Sequence, residues 1–223
     1  MARGQRAVSD DLKEIRRAAI LDAALRLFRR TSFEAITMAE VASECGIAKG
    51  TVYLYFATKE ALFLALLTDQ FADWFSALGA YLDAPADEVS ASGHFVEWVV
   101  ESLLQRPLFV RLIAVMHTVL EHNIELETAL PFKRLLASGV VRSGTALARR
   151  FDWPDPETGM RLLVWLHAIV IGLQHMAAPA PIVLKAMRKD PALAMFDIDF
   201  ATELRALLMQ VLAGMNQTQG DKA

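Results

Sequence analysis

Five residues near the start of the chain carry the right chemistry to meet the groove of a double helix. Lys49, Gly50, Thr51, Tyr53 and Leu54 occupy the side of a short helix that is left free when Val52 and Phe56, four residues apart, turn inward. A lysine reaches a phosphate or a guanine edge, and a glycine admits close backbone approach. A tyrosine stacks on sugar, meets a thymine methyl or donates to phosphate. Tyr55 and Lys59 flank the same helix and are expected to hold backbone phosphates, and Thr37, at the start of the preceding helix, joins them as a contact.

These side chains need two helices pinched around a turn. Thr37-Met38-Ala39-Glu40 fits a reciprocal cap, in which Thr37 accepts from the amide three residues on and Glu40 reaches back to the cap amide. Val41 and Ala42 face inward, and Gly46 stands just past the helix end, where positive φ is often required. Ile47 then plugs the turn, and the second helix opens near Ala48-Lys49. The motif spans 37–56 and reads as a helix-turn-helix. A supporting helix is expected from Asp11 to about Arg30, burying Ile20, Ala24, Leu27 and Phe28; another, capped by Thr58, is expected through Phe75.

Over residues 14–74 the chain resembles the amino-terminal domain of the TetR family of bacterial transcription regulators. The likeness is carried by Ile20, Ala23, Ala24, Leu27 and Phe28, then by Phe33, Thr37, Glu40, Val41 and Ala42. It continues through Gly46, Ile47, Lys49, Gly50, Tyr53, Tyr55 and Phe56 to Lys59, Glu60 and Leu62. The resemblance implies that Lys49, Gly50, Thr51, Tyr53, Leu54 and Tyr55 face DNA and that Lys59 binds phosphate. It also implies a helical body that dimerises and releases DNA when a small molecule binds. Two positions depart from the pattern. Ser32 stands where members often have glycine, and Met38 where many carry a phosphate-bonding hydroxyl.

Composition sets the frame around this motif. The chain has 223 residues, 54% of them hydrophobic, which favours helices and more buried surface than one subunit's core requires. Net charge is −3, which excludes a generally sticky nucleic-acid coat. Basic residues are weighted toward the first 60 positions and acidic ones toward the remainder; the leading segment with Arg3, Arg6, Lys13, Arg16 and Arg17 reads equally as a further flexible contact or as a solvated tail. The single cysteine, Cys45, forms no intramolecular disulfide and fits a small buried hydrophobe; a cytoplasmic protein is expected. No secretion signal is expected, and the apolar run Leu162–Leu173 is too short to span a bilayer, so no membrane partner is expected.

The expected organisation is all-α. A tail over 1–12 leads into a three-helix helix-turn-helix domain over 13–62, linked by the helix 58–75 to a larger helical body over 63–216, with a polar tail over 217–223. A break falls between Pro85 and Gly93, and helices are expected over 94–104, 107–123, 124–151, 157–177 and 197–214. In the last two, Leu162, Leu166, Ile169 and Leu173, with Phe200, Leu204, Leu207 and Val211, form apolar stripes suited to a four-helix interface between two copies. An ordinary monomer core explains the same stripes. A twofold pair of readers would recognise a palindromic operator.

Phe95, Trp98, Met116, His117, Phe132, Trp165 and His167 are the residues expected to line a site for an apolar or aromatic effector, although such residues at helical spacing also serve as plain core. His117, Glu121, His122 and Glu125 follow no metal-ligand spacing, and the chain has neither a phosphate-binding glycine loop nor a nucleophile elbow. No metal, cofactor or catalytic residue is expected. The reading is a dimeric repressor released by a small molecule. An effector-independent binder or an activator of the same architecture is the alternative, and a helical enzyme or scaffold is the alternative of another class.

Overall fold

A computed structural model describes the backbone of residues 2–85 and 91–220, with side chains described over 11–85 and 91–217. Every regular element among the described residues is helical. The chain divides into two compact units, one holding the residues up to Asp69 together with Met116–Phe132, the other Gln70–Val115 together with Lys133 onward.

The first unit is built on α1 (Ala2–Arg30), α2 (Met38–Cys45), α3 (Lys49–Tyr53) and the opening turns of α4 (Lys59–Asp83). Ile20, Ala23, Ala24 and Phe28 of α1, Val41 of α2 and Val52 of α3 are buried together with Leu62 and Phe63 of α4. Phe28 and Phe33 each meet Phe63 edge-on, with centroids 5.4 and 5.0 Å away, the geometry aromatic quadrupoles prefer. On the rim, Arg26 bridges Asp22 of its own helix and Glu44 of α2, and Arg30 also reaches Glu44. Bonding to Arg26 holds the Glu44 carboxyl below the usual carboxylate range. Helix α1 starts well before Asp11, since no proline interrupts the segment. Of the expected contacts, the side chains of Arg3 and Arg6 lie outside the described residues.

A second stretch of chain completes this unit. The sequence reading runs one helix over 107–123, yet α6 (Pro107–Val115) ends early and Met116–Leu120 forms a single π turn. Beyond it Asn123 offers its carbonyl to the hydroxyl of Thr58 at 3.0 Å, while that same hydroxyl accepts from the amide of Ala61. The cap of α4 is thereby fastened to a segment that the sequence reading assigned to the body.

The second unit contains the rest of α4, α5 (Ala91–Leu104), α6, the length of α7 (Leu126–Arg150) from Lys133 on, α8 (Pro156–Ala177), α9 (Pro181–Met187) and α10 (Phe200–Gly220). The expected break between Pro85 and Gly93 falls largely on residues 86–90, outside the described ones. The expected polar tail is helical through Gly220, with 221–223 likewise outside. Helix α8 opens on Asp155, whose carboxylate accepts from the Thr158 amide at 2.9 Å, with Pro156 in the first turn. It packs along α6 and α10, and α10 also packs along α5. Gly144 of α7 and Gly159 of α8 touch so closely that a Cβ on Gly159 would overlap the Gly144 carbonyl. Residues between α8 and α10 form α9 and a 3-10 turn at Pro191–Phe196, each opened by a proline.

By length and hydropathy α4 and α8 could each cross a bilayer. Here Leu162, Leu163, Leu166, Val170 and Leu173 of α8 are instead buried in the protein core.

Candidate nucleic-acid interface and body cavity

The helix-turn-helix forms from local chemistry. Thr37 is extended (φ −117°), its hydroxyl accepts from the Glu40 amide at 3.2 Å, and the Glu40 carboxylate accepts from the Thr37 amide at 2.8 Å. Both halves of the reciprocal cap are therefore made. The Thr37 hydroxyl, which also donates to the Glu40 carboxylate at 2.8 Å, and after it the Thr37 amide hold that carboxyl below the ordinary range, with Lys59 adding to the effect. Gly46 adopts φ +72°, and Ile47 donates back to the Ala42 carbonyl, so the chain leaves α2 in a left-handed turn.

Helix α3 then buries Val52, and Phe56 just beyond it, and turns the rest outward. Lys49 and Gly50 are exposed, Thr51 and Tyr55 half-buried, Tyr53 is 45% exposed and Leu54 84%. The Lys49 ammonium lies 5.8 Å from the Tyr53 ring centroid, so a cation and an aromatic face stand side by side. Nothing lies within 4 Å of where a Cβ on Gly50 would sit, leaving that backbone open to a partner.

Two of the expected contacts also make bonds within the first unit. The Lys59 ammonium donates to the carbonyls of Phe33 (2.8 Å) and Ile36 (2.9 Å) and lies 4.1 Å from the Phe33 ring centroid. It thus fastens the turn between α1 and α2 from within, a distant pairing that the lysine's place in the sequence does not reveal. The Thr37 hydroxyl is engaged in the cap of α2. The departures from the family pattern also resolve. Ser32 does not adopt positive φ, so the turn is reshaped rather than strained, and Met38 is buried, an apolar core residue instead of a lost phosphate donor.

A model of the tetR family of bacterial regulatory proteins matches residues 20–66, and one of the tetracyclin repressor-like C-terminal domain matches 68–219. The chain belongs to the TetR family. It is similar to the regulator YfiR of Bacillus subtilis, with 42% identity over 60 residues, 27% of this chain and 29% of that one. It also resembles UidR of Escherichia coli K12, at 32% over 106 residues, 44% of this chain and 50% of the relative. Matches to the curated relatives reach at most half of the relative's own length. Among solved structures, the fatty acid degradation regulator FadR of Bacillus halodurans shares the fold at TM-score 0.57 and 16% identity, covering 88% of this chain and 94% of that one. A TetR-family regulator from Mesorhizobium loti does so at 0.56 and 17%, covering 90% and 96%. Members are helix-turn-helix transcription regulators rather than enzymes, and this chain is one of them.

In the body of this TetR-family chain the expected effector residues scatter. Phe95 is buried, and Trp98 stacks on Tyr81 with centroids 4.8 Å apart. His167 lies 6.3 Å from Phe71. Met116, His117 and Phe132 belong to the first unit, where the His117 ring meets Glu121 at 3.1 Å. Trp165 faces outward at 42% exposure. The expected interface stripe divides in the same way. Leu162, Leu166, Leu173 and Leu204 are buried in their own subunit, Ile169, Phe200 and Val211 are half-buried, and Leu207 is 41% exposed.

What the sequence reading missed is a cavity of about 640 Å³ between α4 and α7, within the second unit. Phe75, Ser76, Gly79 and Asp83 line it from α4, and Arg142, Ser143, Thr145 and Arg149 from α7. The signal was present as residues repeating at helical spacing, with Arg142 and Arg149 seven apart. Nothing in the sequence says that these two faces meet.

Proposed function

We propose that the protein is a homodimeric repressor that leaves a palindromic operator when a small molecule binds its body, acting in the cytoplasm where the chromosome lies. The observation that carries the DNA half is the outward face of α3. Lys49, Gly50, Tyr53 and Leu54 are held out to solvent by a motif capped at Thr37 and anchored inward by Met38, Val41, Ala42, Val52 and Phe56. An exposed leucine beside an exposed tyrosine and lysine is unfavourable in water and useful against thymine methyls, sugars and phosphates.

Dimerisation rests on α8 and α10, on residues other than most of those the stripes singled out. Val164 and Trp165 of α8 and Leu207 of α10 remain exposed on helices whose opposite faces are already satisfied by the core. Such a surface is the normal precursor of a subunit interface. Two readers on a twofold axis then address half-sites about one helical turn apart. Effector release follows if the ligand binds one arrangement of the body better than the other, and it is limited by that preference.

Selection of bound sites from random duplex DNA tests the reading, with Lys49→Ala/Tyr53→Ala as the control. The expected result is an enriched palindrome that the variant loses. Asymmetric single half-sites would defeat the dimer, and no enrichment from folded protein would defeat DNA reading altogether.

A further inference from the structure

The cavity between α4 and α7 is not an accident of loose packing. Gly79 stands in the middle of a 25-residue helix, where glycine weakens the helix relative to alanine. Nothing lies within 4 Å of the position a Cβ would take, so no neighbour requires its absence. Gly139 is the contrast: there a Cβ would overlap the Phe75 ring, and packing explains the glycine. Gly79 keeps the groove floor open and does nothing else visible.

The walls carry polar groups. Ser143 is 4% exposed and lines the groove, where it presents a hydroxyl. Thr145, two residues on, satisfies its own hydroxyl on the Val141 carbonyl at 2.8 Å. The side chains of Arg142 and Arg149, two turns apart on α7, make no ion pair or hydrogen bond among the described residues. Among the described lining residues Asp83 is the one carboxylate, set against the two arginines. Phe75 and Val141 supply the apolar part. The volume falls within the range of about 300–1,000 Å³ that small-molecule sites occupy.

We propose that this groove binds a small organic anion, a carboxylate or phosphate head on a compact apolar body. Arg142 and Arg149 take the head as charge-assisted donors, Ser143 completes its hydrogen bonds, and the body lies over Gly79 against Phe75. That the occupant is the effector rests on the regulatory reading above; that the groove takes such an anion does not.

Anilinonaphthalene sulfonate and neutral phenylnaphthylamine share an aromatic body and differ in the anion, and both fluoresce when bound. Titrated into the full-length protein, the sulfonate is expected to fill one saturable site at least tenfold more tightly than the neutral compound. Arg142→Gln/Arg149→Gln should remove that preference and leave the neutral compound's binding unchanged. Gly79→Leu, which fills open space, should abolish the site for both while keeping the melting temperature. Inorganic phosphate should compete with the sulfonate alone. Equal binding of the two compounds, or binding unaffected by Gly79→Leu, overturns the proposal. DNA affinity measured in the same samples separates the two readings. Sulfonate binding that leaves DNA affinity unchanged supports the anion site and defeats the effector reading.

Discussion

The reader and the groove are both functional surfaces, and they are assembled in opposite ways. From Thr37 to Phe56 the reader's own determinants lie within twenty residues: a reciprocal cap, a glycine in the left-handed region, five buried side chains and the outward Lys49, Gly50, Tyr53 and Leu54. The groove instead joins Gly79 to Arg142 and Ser143, more than sixty residues away, and no local rule brings α4 beside α7. A surface written in local caps and turns identifies itself. One written in tertiary packing shows only as a periodicity whose partner is unknown.

The sharpest way to break the comparison is to put charge on each side of α8 and α10. Leu166 is 4% exposed and Leu207 41%. Leu166→Asp should exceed the roughly 2–5 kcal/mol of a leucine-to-alanine cavity, because it also buries a carboxylate, and should unfold the body of a protein stable by about 5–15 kcal/mol. Leu207→Asp should keep the melt and lose the dimer, weakening binding to a full palindrome far more than to a half-site. Circular dichroism with sedimentation reads both. A folded, dimeric Leu166→Asp protein would refute the assignment of α8's inner face.

Next in size comes the reader's own surface. Lys49→Ala/Tyr53→Ala should cost at least about tenfold in DNA affinity, since good base and phosphate contacts are worth about 1–3 kcal/mol each, with no change in stability. A drop in melting temperature of the same variant would show that these residues pack rather than read.

Lys59 sharpens the division between reading and holding. Lys49→Met should flatten the dependence of log affinity on log salt by about one unit, the mark of one lost phosphate contact. Lys59→Met should leave that slope unchanged and destabilise the first unit by about 1–3 kcal/mol, the scale of charged hydrogen bonds to buried carbonyls. Equal slope changes in the two variants would return Lys59 to the phosphate backbone.

Those outcomes bear on how much could be read before the fold was known. The all-α architecture, the capping box, the left-handed Gly46 and the inward pair Val52 and Phe56 follow from spacing alone. Lys59 did not, because the carbonyls of Phe33 and Ile36 that hold it are more than twenty residues away. Met116, His117 and Phe132 looked like body residues because chain order ignores that Met116–Phe132 groups with the first unit. Leu162 and Leu166 looked like interface because an apolar helix does not record which of its faces its own subunit covers. In each case the missing information was a contact distant in sequence.

The smallest effect tests the local side of the comparison. Bonds from Thr37 lower the Glu40 carboxyl in the folded state, so the ionised cap stabilises α2 above the ordinary carboxylate range. As pH falls through the folded value that contribution is lost, because the unfolded chain binds the proton more readily. Glu44, lowered by Arg26, changes in the same direction and must be controlled. Glu40→Gln keeps an acceptor for the Thr37 amide, since glutamine also closes a capping box, and removes only the charge. Hydrogen exchange of the amides in Met38–Cys45, corrected for intrinsic rates, should show wild-type protection falling between neutral and acid pH, with a shallower fall in Glu40→Gln. The double variant with Glu44→Gln should be shallower still. Identical pH profiles for all three proteins would mean that α2 is held by its buried side, Val41 and Ala42, and that its cap orients the helix without stabilising it.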